Sequence, residues 1–222
     1  MDPEPTSRDL APAANLYAAR GFVALRRFLG PDLVTYLARY SEILAQSGGV
    51  VEAVDGPLAG SMNAYGDRGF DALLESKRSL VAEIVGRPLA PTYTYLRTYF
   101  AGQALAPHRD RPACEHSVSL LVSSSSAEPW PLMLEDLEGS TVSIPLEPGD
   151  AVLYRGMAVT HWRNQLDDGV HTQLFMHYVD AEGPYRNEVY DRRERLGASR
   201  QPGHRTMVEE VDKIDQVEEA QT

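Results

Sequence analysis

Two histidines and one aspartate give the clearest chemical signal in this 222-residue sequence. His108 and Asp110 are two positions apart in a short β-like run, and side chains at i and i+2 of a strand point to the same face. His161 follows in a second short run of the same kind. Two imidazoles and one carboxylate on neighbouring strands can bind one face of an octahedral metal ion and leave its other positions open. The sequence therefore predicts a metal site with exchangeable positions.

The elements that must position these three residues change in character near Pro91. Before it, the pattern predicts one early strand within 21–29, an amphipathic helix that starts at Pro31, and a second helix over 71–85. After it, about eight short strands are predicted, at 92–100, 104–108, 117–123, 131–135, 140–145, 150–155, 158–162 and 171–179. Helices followed by a run of short strands predict an α+β chain whose β half is a sandwich or jelly roll.

Composition excludes several classes of protein. Lys+Arg is 21 and Asp+Glu is 32, and the net charge of -11 argues against a nucleic-acid binder, which must neutralise phosphates. The sequence contains no apolar run of about 18 residues, so no membrane span is predicted. The N-terminus lacks an apolar signal core, and Cys114 is the single cysteine, so a cytoplasmic location is expected. Part of the negative charge lies in the run 209–222, which we expect to be a solvated extension or a short surface helix.

Five motifs then occur in a set order. An aromatic strand ends in Tyr99-Phe-Ala-Gly102, and His108-Arg-Asp110 follows it. Downstream come Pro148-Gly-Asp-Ala151, His161, and a last strand over 171–178 that opens with a basic residue. From about 93 to 180 the chain resembles the iron(II)- and 2-oxoglutarate-dependent dioxygenases, particularly their prolyl-4-hydroxylase-like branch.

The resemblance implies a fold, a cofactor and a reaction. The implied fold is a double-stranded β-helix, a form of jelly roll, with N-terminal supporting helices. The implied ligands of Fe(II) are His108, Asp110 and His161, with 2-oxoglutarate and O2 as co-substrates. The expected organisation is helical support with a Gly-rich lid over 1–90, a catalytic core over 91–180, and an acidic, partly disordered extension over 181–222.

The resemblance also implies a place for 2-oxoglutarate. Tyr99 lies nine residues before His108, where similar enzymes have a tyrosine that touches this co-substrate. They usually hold its far carboxylate with Arg or Lys about ten residues after the distal histidine, and here that position is His171. Histidine is a poorer clamp, because its charge depends on pH and it lacks a bidentate fork.

Three interpretations of the far-carboxylate site stay open. His171 binds the carboxylate, aided by Thr172 or Gln173; or Arg97, which shares strand parity with Tyr99, supplies the charge; or the co-substrate is not 2-oxoglutarate. Two other bases are less well placed, Arg155 and Arg163.

Substrate contacts are expected from the Gly-rich run and from the strand of the distal histidine. The candidates are Asn63, Tyr65, Arg68 and Trp162. The predicted function is hydroxylation of an unactivated C–H bond in a small molecule, with no nucleic-acid or membrane partner. The alternatives are a prolyl or other residue hydroxylase acting on peptide or protein, and, from another class, a non-catalytic cupin-like metal or sugar binder.

Overall fold

A computed structural model describes residues 10–54 and 58–198 of the chain. The acidic run 209–222 therefore lies outside the described residues, as do the N-terminal residues 1–9 and three residues of the Gly-rich run. Within the described part, no helix is both long enough and apolar enough to cross a membrane.

The described residues contain three α-helices: α1 Ala11–Arg20, α2 Pro31–Gln46 and α3 Arg68–Val85. Helix α2 starts with proline at its first position, as predicted, because the fixed φ of proline suits the first turn. At the start of α3, the Asp67 carboxylate accepts hydrogen bonds from the backbone N–H groups of Gly69 and Phe70, at 2.9 and 3.3 Å. The helix ends at Val85, and the φ of Gly86 that follows, 78°, lies in the left-handed region that favours glycine.

The same described residues contain eleven strands in two sheets. They are β1 Phe22–Leu25, β2 Val51–Glu52, β3 Met62–Tyr65, β4 Leu89–Phe100, β5 Leu105–His108, β6 His116–Ser124, β7 Leu132–Glu135, β8 Thr141–Ile144, β9 Ala151–Tyr154, β10 His161–Arg163 and β11 Val170–Asp180. The larger sheet has the order β1-β9-β6-β11-β4-β3-β2, and the smaller has the order β5-β10-β7-β8. The pairings are antiparallel, and the predicted α+β class is confirmed.

One face of the larger sheet is apolar and the other is polar. Paired residues on adjacent strands share a face, so Leu96 of β4 and Leu174 of β11 lie together and pack with Leu74 of α3 in the main apolar core. On the opposite face, Arg97 of β4 pairs with Gln173 of β11, and both are buried. The inner face of the larger sheet thus carries polar side chains into the interior of the protein.

The prediction of a single early strand is wrong, because β2 and β3 extend the larger sheet within the Gly-rich run. Strand β3 pairs with β4, and β2 pairs with β3 at the edge. These strands are only two and four residues long, so little apolar alternation marks them in the sequence. Asn63 of β3 is thereby placed opposite Arg97 of β4.

A C-terminal strap, residues 186–193, closes over the end of the sheet. Asp191 and Arg193 are buried in it. Asp191 accepts a hydrogen bond from Arg111 at 2.8 Å, and the Tyr65 hydroxyl donates to it as well. Three consecutive residues of the strap, 190–192, have φ values of 55°, 52° and 60° without being glycine, a conformation that persists where surrounding contacts enforce it.

Acidification is expected to destabilise the metal-free protein through His116, which is buried at the start of β6. Burial lowers the pKa of His116 to about 4, and its Nδ1 lies 2.6 Å from the Tyr17 hydroxyl. The unfolded chain, with a histidine pKa near 6.5, binds the proton first, so this contribution to stability is present above about pH 6.5 and is lost towards pH 4. Urea unfolding between pH 7 and 5 should show a shallower pH dependence for His116→Phe than for the unaltered protein. Identical slopes would contradict the assignment.

Candidate metal centre

Two strands of the smaller sheet bring the predicted histidines together. His108 is the last residue of β5, His161 is the first of β10, and the two are direct partners in the antiparallel register. Their ring centroids are 4.2 Å apart. Asp110 follows β5, and its backbone N–H donates to the Gly156 carbonyl at 2.9 Å, which fixes the turn that presents its carboxylate.

The three side chains offer ligand atoms to one point. Asp110 Oδ1 lies 3.8 Å from His108 Nε2 and 3.5 Å from His161 Nε2, and all three atoms lie within 4.8 Å of one another. One carboxylate and two imidazoles in this arrangement are the donor set of a facial metal site that leaves other positions open. The structure therefore brings together the three residues predicted to bind metal.

Main-chain carbonyls hold both imidazoles in the form that can bind a metal. His108 Nδ1 lies 2.9 Å from the Ala106 carbonyl, and His161 Nδ1 lies 3.0 Å from the Val159 carbonyl. A carbonyl oxygen can only accept, so each Nδ1 carries the hydrogen and each Nε2 keeps its lone pair free. The rings are thus oriented towards the carboxylate before any metal binds.

Electrostatics keep the ligands in the protonation states that a metal needs. Burial, together with the charge of His161, lowers the pKa of His108 to about 4, so its ring is neutral near pH 7. Burial by itself raises the pKa of the Asp110 carboxyl, but the neighbouring histidines, His161 foremost, hold that pKa below its usual range. Asp110 is therefore an anion that faces the neutral ring of His108.

Two residues that the sequence did not indicate, Ser117 and Gly156, fix the Asp110 carboxylate. Ser117 of β6 donates to Asp110 Oδ2 at 3.0 Å and also lies 2.9 Å from His177 Nδ1. Gly156 packs on the other side: a Cβ there would lie 2.4 Å from Asp110 Oδ2 and 2.2 Å from the Cys114 carbonyl. Oδ1 is thus left to the metal site while Oδ2 is held by the protein.

Gly156→Ala is expected to weaken metal binding by at least about tenfold, because the new methyl group must displace Asp110. Calorimetric titration with Mn(II) would measure the effect. Gly30→Ala is the matched control, since a Cβ at Gly30 meets no atom within 4 Å and its φ is -68°. Equal affinities for the two variants would show that Gly156 does not constrain the carboxylate.

Buried polar atoms without partners converge between the sheets, beyond the three metal ligands. Tyr99 Oη, His171 Nδ1 and Arg163 Nη2 have no hydrogen-bond partner among the described residues. Trp130 joins the three side chains: its ring lies 5.0 Å from Tyr99, 5.0 Å from His171 and 4.8 Å from the Arg163 guanidinium carbon. We call Tyr99, Arg163 and His171 the anion pocket. Buried polar groups are normally hydrogen-bonded, so the anion pocket is suited to a ligand with acceptor oxygens.

The charge in the anion pocket comes from Arg163 rather than from His171. Burial, with the charge of Arg163, lowers the pKa of His171 to about 3, so its ring is neutral. Burial lowers the pKa of Arg163 to about 10, which still leaves the guanidinium charged at neutral pH. Arg163 donates to the Trp130 carbonyl. His171 Nε2 lies 2.9 Å from Gln173 Oε1, so Nδ1 is the ring nitrogen without a partner among the described residues.

Arg97 borders the anion pocket on the inner face of β4, with its guanidinium carbon 5.7 Å from the centre of the Tyr99 ring. Its Nε donates to Asn63 Oδ1 at 2.8 Å, and its Nη2 donates to the Tyr95 hydroxyl at 3.1 Å. Burial opposes its charge, but Tyr95 and Tyr99 hold its pKa above the usual value. Arg97 and Asn63, predicted separately as co-substrate and substrate residues, therefore form one hydrogen-bonded unit.

The remaining predicted substrate residues are spread more widely. Tyr65 stacks on Tyr93 and donates to Asp191 of the strap. Arg68 is exposed at the start of α3 and donates to the Gly197 carbonyl at 3.4 Å, in a surface hollow. Trp162 lies between His161 and Arg163 on β10, so strand alternation turns its side chain away from theirs.

Comparison with solved structures identifies the fold. No family model and no curated protein matches the sequence. Among solved structures, the non-haem α-ketoglutarate-dependent epimerase SnoN from nogalamycin biosynthesis superposes with a TM-score of 0.70 at 15% identity, covering 89% of this chain and 98% of SnoN. The chain has the fold of the non-haem 2-oxoglutarate-dependent oxygenases. The resemblance found in the motifs is confirmed at this level.

Two other structures with this oxygenase fold agree. The α-ketoglutarate-dependent carbocyclase SnoK from nogalamycin biosynthesis gives a TM-score of 0.68 at 14% identity, covering 81% of this chain and 88% of SnoK. A Pseudomonas putida prolyl-4-hydroxylase gives a TM-score of 0.63 at 19% identity, covering 76% of this chain and 97% of the hydroxylase. SnoN has also been solved in complex with Fe3+, α-ketoglutarate and nogalamycin RO. The oxygenase fold thus serves both small-molecule enzymes and a prolyl hydroxylase.

Proposed function

We propose that this protein is a non-haem Fe(II)- and 2-oxoglutarate-dependent oxygenase that hydroxylates an unactivated C–H bond of a small molecule. The observation that carries the proposal is the convergence of His108 Nε2, Asp110 Oδ1 and His161 Nε2 within 4.8 Å. Their second atoms are held by carbonyls and by a serine, so the free atoms are those a metal would use.

The residues fit the cofactor and the co-substrate. When bound, Fe(II) with 2-oxoglutarate supplies the means to use O2 to oxidise a C–H bond, with succinate and CO2 as co-products. The protein's part is to hold the metal by His108, Asp110 and His161 and to orient 2-oxoglutarate. In our proposal the far carboxylate lies in the anion pocket, where the unpartnered donors of Tyr99 and Arg163 and the Nδ1 of His171 meet.

Strand order supports a double-stranded β-helix as the scaffold. In the stretch from β4 to β11, strands β4, β6, β9 and β11 lie in the larger sheet, while β5, β7, β8 and β10 lie in the smaller. We infer a jelly-roll core over 91–180, with the helices of the first 90 residues packed on its outer face. The metal ligands then lie on the smaller sheet and the anion pocket lies between the two.

Burial of the metal site favours a small substrate over a peptide. The side chains of His108, Asp110 and His161 are 14%, 5% and 3% exposed. The strap adds cover nearby, since Tyr65 stacks on Tyr93 and binds Asp191. An extended peptide needs an open groove, whereas an enclosed site suits a compact molecule.

The test is an anaerobic titration of the Fe(II)-loaded protein with 2-oxoglutarate, followed by a substrate screen for succinate release. We expect a visible charge-transfer band that saturates at one 2-oxoglutarate per chain. Arg163→Gln and His171→Ala should each raise the concentration needed for half saturation, the former by about tenfold or more. Fe(II) binding with neither the band nor succinate release would overturn the proposal in favour of a cupin-like binder. Screening peptides beside metabolites tests the substrate class.

A further inference from the structure

We propose that the substrate carries an anionic group, a carboxylate being the simplest, and that Arg97 binds this group beside the metal centre while Asn63 and Tyr95 hold the guanidinium in place. The inference rests on the proposed function and extends it to the class of substrate. It assigns Arg97 to the substrate and leaves the far carboxylate of 2-oxoglutarate to the anion pocket.

The hydrogen bonds of Arg97 to Asn63 and Tyr95 use two of its three guanidinium nitrogens. Nε donates to Asn63, and Nη2 donates to Tyr95. The residue is only 5% exposed. Asn63 is itself fixed, because its Nδ2 lies 3.0 Å from the Ser61 carbonyl and 3.2 Å from the Ser61 hydroxyl. Its Oδ1 is thereby turned to Arg97, and the guanidinium is oriented in advance of binding.

The surroundings of Arg97 supply no negative charge. Across the sheet it faces Asn63 on one side and Gln173 on the other, and both are neutral amides. The rings of Tyr95 and Tyr99 lie 5.1 and 5.7 Å from its guanidinium carbon. No carboxylate of the described chain forms an ion pair with it. A buried charge without a counter-ion is costly, so the site is suited to a ligand that supplies one.

The charges of the site distinguish the arginine that balances 2-oxoglutarate from the arginine that would balance the substrate. Fe(II) and the Asp110 carboxylate sum to +1, and the dianion 2-oxoglutarate brings this to -1. The guanidinium of Arg163 then makes the set neutral. The guanidinium of Arg97 adds one further positive charge inside the protein, which a monoanionic group on the substrate would balance.

The position of Arg97 also suits a substrate. It is on the inner face of β4, paired with Gln173, whose amide donates to the Ser119 hydroxyl at 2.8 Å. Ser119 is on the same face of β6 as Ser117, which donates to Asp110. A group bound at Arg97 therefore lies near the metal ligands, while the anion pocket lies around Trp130. A substrate held by an anionic group here would have the rest of its skeleton beside the metal.

The experiment uses trifluoroacetate as the anion and trifluoroacetamide as its neutral counterpart. The protein is loaded with Mn(II) and saturating 2-oxoglutarate, and binding is followed by the fluorine NMR linewidth of each probe. Separate calorimetric titrations measure the affinity for 2-oxoglutarate. The variants are Arg97→Gln and Asn63→Asp; the second retains the arginine but gives it an internal carboxylate. The control is Arg109→Gln, which removes an exposed guanidinium between the metal ligands.

Trifluoroacetate is expected to bind the unaltered protein at least about tenfold more tightly than the amide. Arg97→Gln and Asn63→Asp should each lower the affinity for trifluoroacetate by about tenfold and change the affinity for 2-oxoglutarate by less than about twofold. Arg109→Gln should change neither affinity. The inference is overturned if the two probes bind equally, if Arg97→Gln leaves trifluoroacetate binding unchanged, or if it weakens 2-oxoglutarate instead. Failure of 2-oxoglutarate to bind the unaltered protein would contradict the proposed function. A fluorine NMR titration with trifluoroacetate in the absence of 2-oxoglutarate would still test Arg97.

Discussion

His108→Ala is expected to reduce the affinity for Fe(II) or Mn(II) by at least about 100-fold and to abolish iron-dependent succinate release. The histidine supplies one of three protein ligand atoms, and its Nδ1 bond to the Ala106 carbonyl aims Nε2 at Asp110. Calorimetric titration under anaerobic conditions gives the affinity, and coupled detection of succinate gives the turnover.

The control for His108→Ala is Arg109→Ala. Arg109 is exposed, and its Nε donates to the Thr160 hydroxyl at 3.2 Å rather than to a metal ligand. Its removal should change metal affinity by less than about twofold, because an exposed charge is largely screened. Metal affinity retained in His108→Ala would refute the three-residue site, whatever the behaviour of the control.

Arg193→Met should lower the free energy of unfolding by about 3–5 kcal/mol. Arg193 Nη1 lies 2.8 Å from Asp71 Oδ2, and the two side chains are 0% and 2% exposed. Nη2 also donates to the Thr92 carbonyl at 3.0 Å, so one side chain ties the strap to α3 and β4. Removing it leaves the Asp71 carboxylate buried without its cation. Urea unfolding at neutral pH measures the loss.

Arg195→Met tests whether that loss comes from burial. Arg195 lies 3.4 Å from Glu194 in an exposed pair, with side chains 76% and 75% accessible, and such pairs contribute about 0–1 kcal/mol. Combining Asp71→Asn with Arg193→Met should be less destabilising than the sum of the single changes, since the buried anion is removed together with its cation. Additive losses would mean that the two side chains act separately.

The three proposed metal ligands could be predicted because their signal is local. Alternation along a strand places His108 and Asp110 on one face, and the distal His161 stands in its own short strand. The same alternation could have found Arg163, which is two residues after His161 and therefore shares its face. The resemblance, however, places the carboxylate clamp at position 171, and Arg163 does not match that position.

Other parts of the site could not be predicted, since they depend on long-range contacts. Ser117 reaches Asp110 because a turn brings β6 behind the carboxylate, and a serine has no distinctive spacing. The strap has left-handed residues that are not glycine, Tyr190 among them, which no local rule indicates. Strand β3 is recognisable once β4 is present beside it to pair with.

The interior guanidinium groups of Arg97 and Arg163 contrast with the exterior of the molecule. The whole chain carries a net charge of -11, so anionic ligands must approach through a repulsive field before they reach these two cations. Dissolved salt screens that long-range repulsion more than it screens short contacts in a buried site. We therefore expect the association rate of such ligands to rise with ionic strength, the reverse of electrostatic steering. Stopped-flow mixing at several chloride concentrations would reveal it.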